Sequence, residues 1–247
     1  PVERLQDLMV FHGRPLPDNA LSYEQLFHSW QEAAKRQNES TSDAAALRQR
    51  LELALKWQWP QQVVSQPGPG SRIYLSRPEV GDRVPALWFT GKGAPALVVD
   101  PGGAEAGRDS VEGKRLLAAG RPVLFLDAFQ TGSAVAPRDR SHQHFLTFNL
   151  SDDAHRAQDI LTALAYLSST HSSRFELVGI GKAGVWSLFA AALARVAVDL
   201  KADLSGFRGT DEEFIAQFFV PGIQRAGGLK AAQTLLAAGP ASGRPSR

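Results

Sequence analysis

The sequence predicts an α/β three-layer sandwich, in which helices cover both faces of a mostly parallel sheet. From residue 94 onward, short apolar runs alternate with amphipathic segments, which is typical of parallel strands joined by crossover helices. The run 94–100 is continuously apolar apart from its proline and final aspartate, as expected of a strand buried on both faces. A turn with three glycines, between an apolar run and an Ala-rich segment within residues 175–194, marks the candidate site.

Composition narrows the function classes. The 247 residues are 43% hydrophobic and 21% charged, which suits one large globular domain or a domain with an appended subdomain. No apolar run reaches the roughly 18 residues that a membrane span needs. The net charge is only +2 and the charges are interspersed, so we expect no nucleic-acid partner. The chain has no cysteine, which excludes disulfides, Cys-ligated metals and thiol catalysis.

Residues 1–65 are predicted to form a helical N-terminal region. Ser22 with Gln25 fits a capping box, and Ser42 or Asp43 is placed to cap the next helix. Trp57-Gln-Trp-Pro60 ends the last helix, because the residue before a proline avoids the α region. The apolar residues at helical spacing are Leu5, Leu8 and Met9; Tyr23, Leu26, Phe27 and Trp30; and Leu47, Leu51, Leu53 and Leu55.

Residues 66–238 are predicted to form the α/β domain, and the Pro/Gly/Ser-rich residues 239–247 a disordered tail. The predicted strands cover 72–77, 84–90, 94–100, 122–127, 175–181 and 196–200. The predicted helices cover 108–119, 152–168, 183–194 and 211–219.

The three-glycine turn has two chemical interpretations. Gly179, Gly181 and Gly184 match the dinucleotide fingerprint G-x-G-x-x-G, in which glycines let a pyrophosphate approach a helix N-terminus. Asp199 follows twenty residues after Gly179, where an acid would bind a ribose hydroxyl. Against this, the fingerprint normally follows the first strand of its fold, and Asp199 falls inside a predicted strand.

The second interpretation is a nucleophile elbow, the G-x-S-x-G strand-turn-helix that raises a catalytic serine. Gly179, Ala183 and Gly184 supply the small residues that such a turn needs, and Lys182 begins the helix. Gly181 stands where the serine belongs. Glycine adopts the strained backbone of that position without penalty, so the turn is kept and the hydroxyl is lost.

A serine hydrolase also needs oxyanion-hole donors, an acid and a histidine. The loop after residue 100 offers the N–H groups of Gly102 and Gly103 as oxyanion-hole donors, with Lys182 N–H as a third. An acid and a histidine should follow the elbow, yet all six histidines precede Gly181. Ser133 follows an apolar strand but has no elbow, which disfavours it as a nucleophile.

A metal centre is not expected. His142 and His144 are separated by one residue in a polar segment with no third ligand evident, so we predict surface residues there. No other pattern indicates a cofactor, apart from the dinucleotide alternative above.

These segments together resemble the acetyl xylan esterase-like branch of the α/β-hydrolases, relatives of the dienelactone hydrolases. The similarity runs from about residue 84 to 230. It is carried by the stretches 96–103, 122–128 with Gly132, 148–150, 156–167, 178–194 and 211–223.

The resemblance implies an α/β-hydrolase-like sandwich with a helical N-terminal region, here without the C-terminal strands. Family esterases would carry serine at position 181 and a later acid and histidine. The departures imply a degenerate esterase, a pseudoenzyme that binds an acylated carbohydrate or small ester. The resemblance also implies a bacterial protein of an often exported, periplasmic type, although the chain shows no signal peptide. The alternatives are an active ester hydrolase completed by residues outside this chain and a dinucleotide-dependent oxidoreductase.

Overall fold

The computed structural model describes residues 2–171, 174–202, 204 and 206–240. The chain divides into two compact units, one up to Ser40 and one from Thr41 onward. Most of the tail predicted to be disordered, residues 241–247, lies outside the described residues. None of the helices in the described part of the chain combines the length and apolar character of a membrane span.

The first unit contains two helices, α1 (Leu5–Leu8) and α2 (Tyr23–Ser40). The predicted capping box at the start of α2 is confirmed. Ser22 N–H donates to Gln25 Oε1 at 2.8 Å, and Gln25 N–H donates to Ser22 Oγ at 3.2 Å. Neither helix has a buried residue.

The second unit contains a seven-stranded sheet and eight helices among its described residues. The strands are β1 (Val64–Pro67), β2 (Arg72–Ser76), β3 (Val84–Phe89), β4 (Ala96–Val99), β5 (Val123–Leu126), β6 (Phe175–Gly179) and β7 (Val198–Ala202). The helices are α3 (Ala44–Leu55), α4 (Ala104–Asp109), α5 (Val111–Ala118), α6 (Phe145–Phe148), α7 (Asp152–Thr170), α8 (Ala183–Leu193), α9 (Asp211–Gln217) and α10 (Gly228–Ala238).

The strand order is β1-β2-β3-β5-β4-β6-β7. The pairs from β5 to β7 are parallel, whereas β1, β2 and β3 pair antiparallel with their neighbours and β3 is antiparallel to β5. Without β1, the order is 1-2-4-3-5-6 with only the second strand reversed. This mixed, mostly parallel arrangement is that of an α/β-hydrolase-like sheet. Among the described residues β7 is the last strand.

Alternate residues of the central strands face two separate cores, which makes the fold three-layered. Leu97, Leu124 and Leu177 belong to the larger core, which the helices α3, α7, α8 and α10 cover. Val98 and Phe125 belong to the smaller core on the other face, which α4 and α5 cover. This agrees with the α/β sandwich predicted from the sequence.

Two predicted elements differ in detail from the structure. The helix predicted over 108–119 is two helices, because Ser110 adopts an extended backbone and caps α5 by accepting from Gly113 N–H at 3.0 Å. The strand predicted over 196–200 is β7, two residues further along. Its register is set by pairing with β6, where Gly179 lies opposite Ala202.

The observed division of the chain at residue 40 differs from the boundary predicted at residue 65. Asp43 caps α3 as predicted, accepting from the N–H groups of Ala45 and Ala46. The helix then buries Leu47, Leu51 and Leu55 in the larger core, so α3 belongs to the sheet unit. The fourth leucine of the stripe, at position 53, is 69% exposed.

Candidate functional site

The three-glycine turn lies at the carboxyl end of β6, where it joins the strand directly to α8. Gly181 has a φ of +51°, in the left-handed region that glycine adopts at little cost. Lys182 already has helical angles, and the turn is closed by a hydrogen bond from Ala183 N–H to Ile180 O at 3.0 Å. The chain therefore turns sharply from strand into helix, with Gly181 at the bend.

Gly179 is required because strand and helix touch there. A Cβ atom at position 179 would lie 2.7 Å from Gly184 Cα, 2.7 Å from Ser187 Oγ and 2.8 Å from Ala183 O. Two of these contacts are backbone atoms, which cannot move without shifting α8. Gly179 and Gly184 therefore allow the strand and the helix to approach closely at the bend.

Gly181 faces open space by contrast. Apart from the two neighbouring residues in the chain, a Cβ atom at this position would meet no atom within 4 Å. A side chain at the vertex would therefore project freely from the crest of the turn, which is where a hydrolase presents its nucleophile. In this chain the crest has no side chain to present.

The loop after β4 uses the N–H groups that were candidate oxyanion donors. Gly102 N–H donates to the Asp100 carboxylate at 2.7 Å, and Gly103 N–H donates to the Asp100 carbonyl at 2.9 Å. Both donors are therefore bonded within the loop. Lys182 N–H, by contrast, forms no hydrogen bond with another residue of the described ranges.

A cavity of about 520 Å³ adjoins the turn at Lys182. Its apolar walls come from the α6 segment and from α9 with the residues that follow it, and include Leu146, Ile215 and Phe219. These side chains are 40 to 66% exposed, so the apolar rim is open to solvent. The sequence did not single out these residues, because the two segments that form the wall are about 70 residues apart.

The charges around the cavity are paired except at Lys182. Asp152 accepts from Arg140 at 2.5 Å, and Asp153 accepts from Arg156 at 2.7 Å. Lys182 forms no ion pair with any residue that the structure describes. Its ammonium group is therefore the uncompensated charge beside the vertex, and it favours an oxygen-rich or anionic group of a ligand.

Asp199 lies near the amino-terminal end of β7, away from the turn that follows β6. It pairs in register with Glu176 near the start of β6, whereas the turn follows Gly179 at the end of that strand. Its carboxylate accepts from Arg174 at 2.7 Å. A dinucleotide fold needs its acid at the carboxyl end of the second strand, so this position does not suit ribose binding.

Ser133 bonds to the buried carboxylate of Asp127 and does not line the cavity at Lys182. Its hydroxyl donates to Asp127 Oδ2 at 2.5 Å and accepts from Arg72 at 2.6 Å. The other Asp127 oxygen accepts from Ala104 N–H at 2.6 Å. These bonds join β2, α4 and the segment after β5, and they account for Ser133 structurally.

The two histidines lie on the surface. His142 lines the cavity beside Lys182, with an ion-pair distance of 3.7 Å to Asp139, and its side chain is 81% exposed. His142 and His144 also line a neighbouring depression together. Within the described ranges no group of three metal-binding side chains is present.

Comparisons with known proteins give no family assignment. No family model matches the chain, and no curated protein matches it. Among solved structures, the chain is similar to a protein from Agrobacterium vitis S4 provisionally assigned as a hydrolase, with 16% identity and a TM-score of 0.32. The similarity covers 57% of this chain and 51% of that one, so the chain spans about half of its length. Likeness this low carries no argument about function, and the fold assignment rests on the strand topology.

Proposed function

We propose that this protein is a catalytically degenerate, acetyl xylan esterase-like protein of α/β-hydrolase-like fold. It binds a small ester or an acylated carbohydrate in the cavity beside Lys182 and does not hydrolyse it. One observation carries the proposal. The vertex of the turn after β6 has open space around it and carries Gly181, which has no side chain.

Loss of the nucleophile has a large kinetic consequence. In a serine protease, removing the nucleophilic serine costs on the order of 10⁶ in kcat, because covalent catalysis and base activation fail together. A further feature supports inactivity. The N–H groups of Gly102 and Gly103 donate to Asp100, so an oxyanion would compete with bonds already formed.

Binding is supported by the shape and chemistry of the cavity. Its volume of about 520 Å³ lies within the range of small-molecule sites. Phe219 and Ile215 offer apolar contact to an acyl group, and the Lys182 ammonium offers charge to its carbonyl oxygen. The resemblance to carbohydrate esterases supplies the substrate class, an acetylated sugar.

Thermal unfolding with an acetylated xylo-oligosaccharide tests the binding half of the proposal. A ligand at a hundred times its Kd stabilises the fold by about 2.7 kcal/mol, which is a shift of several degrees. Lys182→Ala should abolish most of that shift. The matched control is Lys92→Ala. Lys92 is an exposed lysine in the loop before β4, at the opposite end of the parallel strands from Lys182. An equal shift in both variants would refute this site, and a shift with NAD would favour the dinucleotide alternative.

Hydrolysis of a chromogenic acetate ester tests the other half. We expect release at the buffer rate from the native chain and from Gly181→Ser, since a serine alone lacks its base. Saturable release by the native chain would establish an active hydrolase. Saturable release by Gly181→Ser alone would show that the rest of the catalytic machinery is intact, contrary to the degeneracy proposed here.

A further inference from the structure

A second cavity, of about 590 Å³, lies between the β2–β3 connection, the segment after β5 and α7. None of its lining residues also lines the cavity beside Lys182. Asp127, which directly follows β5, is part of its wall, so the cavity adjoins the carboxyl end of a parallel strand. Ligands of α/β sheets bind at that end, and the volume is that of a small-molecule site.

Arg83 gives this cavity a cation that is held in place. Its guanidinium carbon lies 3.6 Å from the centroid of the Tyr74 ring, a cation–π contact that restrains the group. Arg83 is exposed and forms no salt bridge with any residue of the described ranges. The N–H donors of a guanidinium lie in its plane, as a fork that matches the two oxygens of a carboxylate.

Four other charged groups of the cavity form two ion pairs. Arg77 Nε donates to the Asp82 carboxylate at 2.6 Å, and Arg72 Nη1 donates to the Asp127 carboxylate at 3.2 Å. These pairs satisfy the two carboxylates within the protein. Among the three lining arginines, only Arg83 lacks a carboxylate partner in the part of the chain that the structure describes.

The helix α7 contributes two further titratable groups, His155 and Asp159. Burial raises the pKa of Asp159 to about 7, so this carboxyl group is mostly protonated at pH 6. Burial and the nearby Arg138 lower the pKa of His155, which opposes its charged form. At pH 6 the cavity therefore has a net positive charge, which Arg83 supplies.

Apolar side chains form the walls beside this charge. Val80 and Val84 come from the β2–β3 connection and the start of β3, and Val135 comes from the segment after β5. Val80 is 57% exposed and Val135 is 64% exposed, so a ligand that covers them removes apolar surface from water. One unpaired cation between apolar walls suits a monoanion with an apolar body. A phosphate dianion would bring a second charge that no group here compensates.

We propose that this cavity is a second binding site, which takes a small organic acid. The carboxylate of the acid binds the Arg83 guanidinium, and its apolar body contacts Val80 and Val135. The site is independent of the ester site beside Lys182, because the two cavities have separate linings.

Isothermal titration calorimetry of the full chain at pH 6 tests the ligand class. Hexanoate and 3-phenylpropanoate should bind with dissociation constants below about 1 mM. Acetate, which lacks the apolar body, and inorganic phosphate should each bind at least tenfold more weakly than either acid. Absence of binding by both acids, or binding of phosphate as tight as theirs, overturns the proposal.

Substitution of Arg83 tests the location. Arg83→Gln should weaken binding of 3-phenylpropanoate at least tenfold, because the charge-assisted hydrogen bonds are lost. The matched control is Arg225→Gln. Arg225 is an exposed arginine that lines neither cavity, and its substitution should leave the affinity unchanged. Loss of binding in Lys182→Ala but not in Arg83→Gln would place the acid beside Lys182 and overturn the proposal.

The neutral analogue 3-phenylpropan-1-ol isolates the contribution of charge. The native chain should bind the carboxylate about tenfold more tightly than the alcohol, whereas Arg83→Gln should bind the two about equally. An advantage of the carboxylate that persists in Arg83→Gln contradicts the assigned contact. Unchanged melting curves of the variants ensure that these differences arise from binding.

Discussion

The two ends of β6 differ in how the charged groups around them are paired. Near its start, Glu176 is held by Arg121, by Arg115 at 2.9 Å and by Lys201 at 2.8 Å. After its end, Gly181 faces open space and Lys182 has no ion-pair partner among the described residues. At the start of β6 the charged groups form ion pairs with one another. At the second end Lys182 is unpaired among the described residues, and this is the end at which open α/β sheets bind their ligands.

The largest effect on stability should come from adding a methyl group at Gly179 rather than at Gly181. Gly179→Ala should lower the free energy of unfolding by about 3 kcal/mol, since the new methyl group meets the backbone of α8 at 2.7 to 2.8 Å. Gly181→Ala should lower it by only about 1 kcal/mol, the cost of a left-handed backbone without a steric clash. Urea unfolding midpoints measure both. Equal losses would show that the vertex is as tightly packed as Gly179.

Glu176→Gln should be the next largest effect. Burial opposes ionisation of Glu176, but the hydrogen bonds from Lys201 and Arg121 prevail and lower its pKa to about 2. Because this pKa is below the unfolded value, the stabilisation is present above about pH 4.5 and is lost as the pH falls towards 2. We expect a loss of about 2 kcal/mol at pH 7, discounted from the full shift for solvent screening, and little loss near pH 2.

The matched control is Glu112→Gln, which removes the exposed partner of Arg115. Its cost should stay below about 0.5 kcal/mol at any pH. A cost like that of Glu176→Gln would mean that position 176 has no special role at the start of β6.

Asp159→Asn should change the pH dependence of stability in the opposite direction. Burial raises the pKa of Asp159 to about 7, even though the carboxylate accepts from Phe129 N–H at 2.8 Å. A raised pKa means that the native state holds the proton more tightly, so native stability falls as the pH rises from about 4 to 7. The amide should remove that slope and stabilise the protein by about 1–2 kcal/mol at pH 8, less than the full shift implies because solvent reaches Asp159 through a cavity. An unchanged slope between pH 4 and 8 would contradict this.

The sequence predicted the layer architecture because alternating apolar runs and helix caps are local signals. The turn after β6, the capping box at Ser22 and the cap at Asp43 all depend on residues within a few positions of each other. The extent of α3 within the sheet unit was not predicted, because a leucine stripe shows that a helix packs but not against what.

The candidate site was predictable only in part, for the same reason. The turn at Gly181 was predictable from the residues on either side of it in the sequence. The bonds of Gly102 and Gly103 to Asp100 could not, because a short loop can direct its N–H groups towards a ligand or towards its own carboxylate. The wall formed by Leu146 and Ile215 depends on long-range packing that leaves no periodic signal.

Proton NMR of an acetylated xylo-oligosaccharide, mixed with the protein at equal concentration, distinguishes binding of the ester from its hydrolysis. It follows bound ester and free acetate in one sample over several hours. The account predicts that the acetyl resonances broaden or shift in the presence of the native chain but much less with Lys182→Ala, while acetate accumulates no faster than in buffer. Acetate released faster than in buffer, in proportion to the protein added, would contradict it.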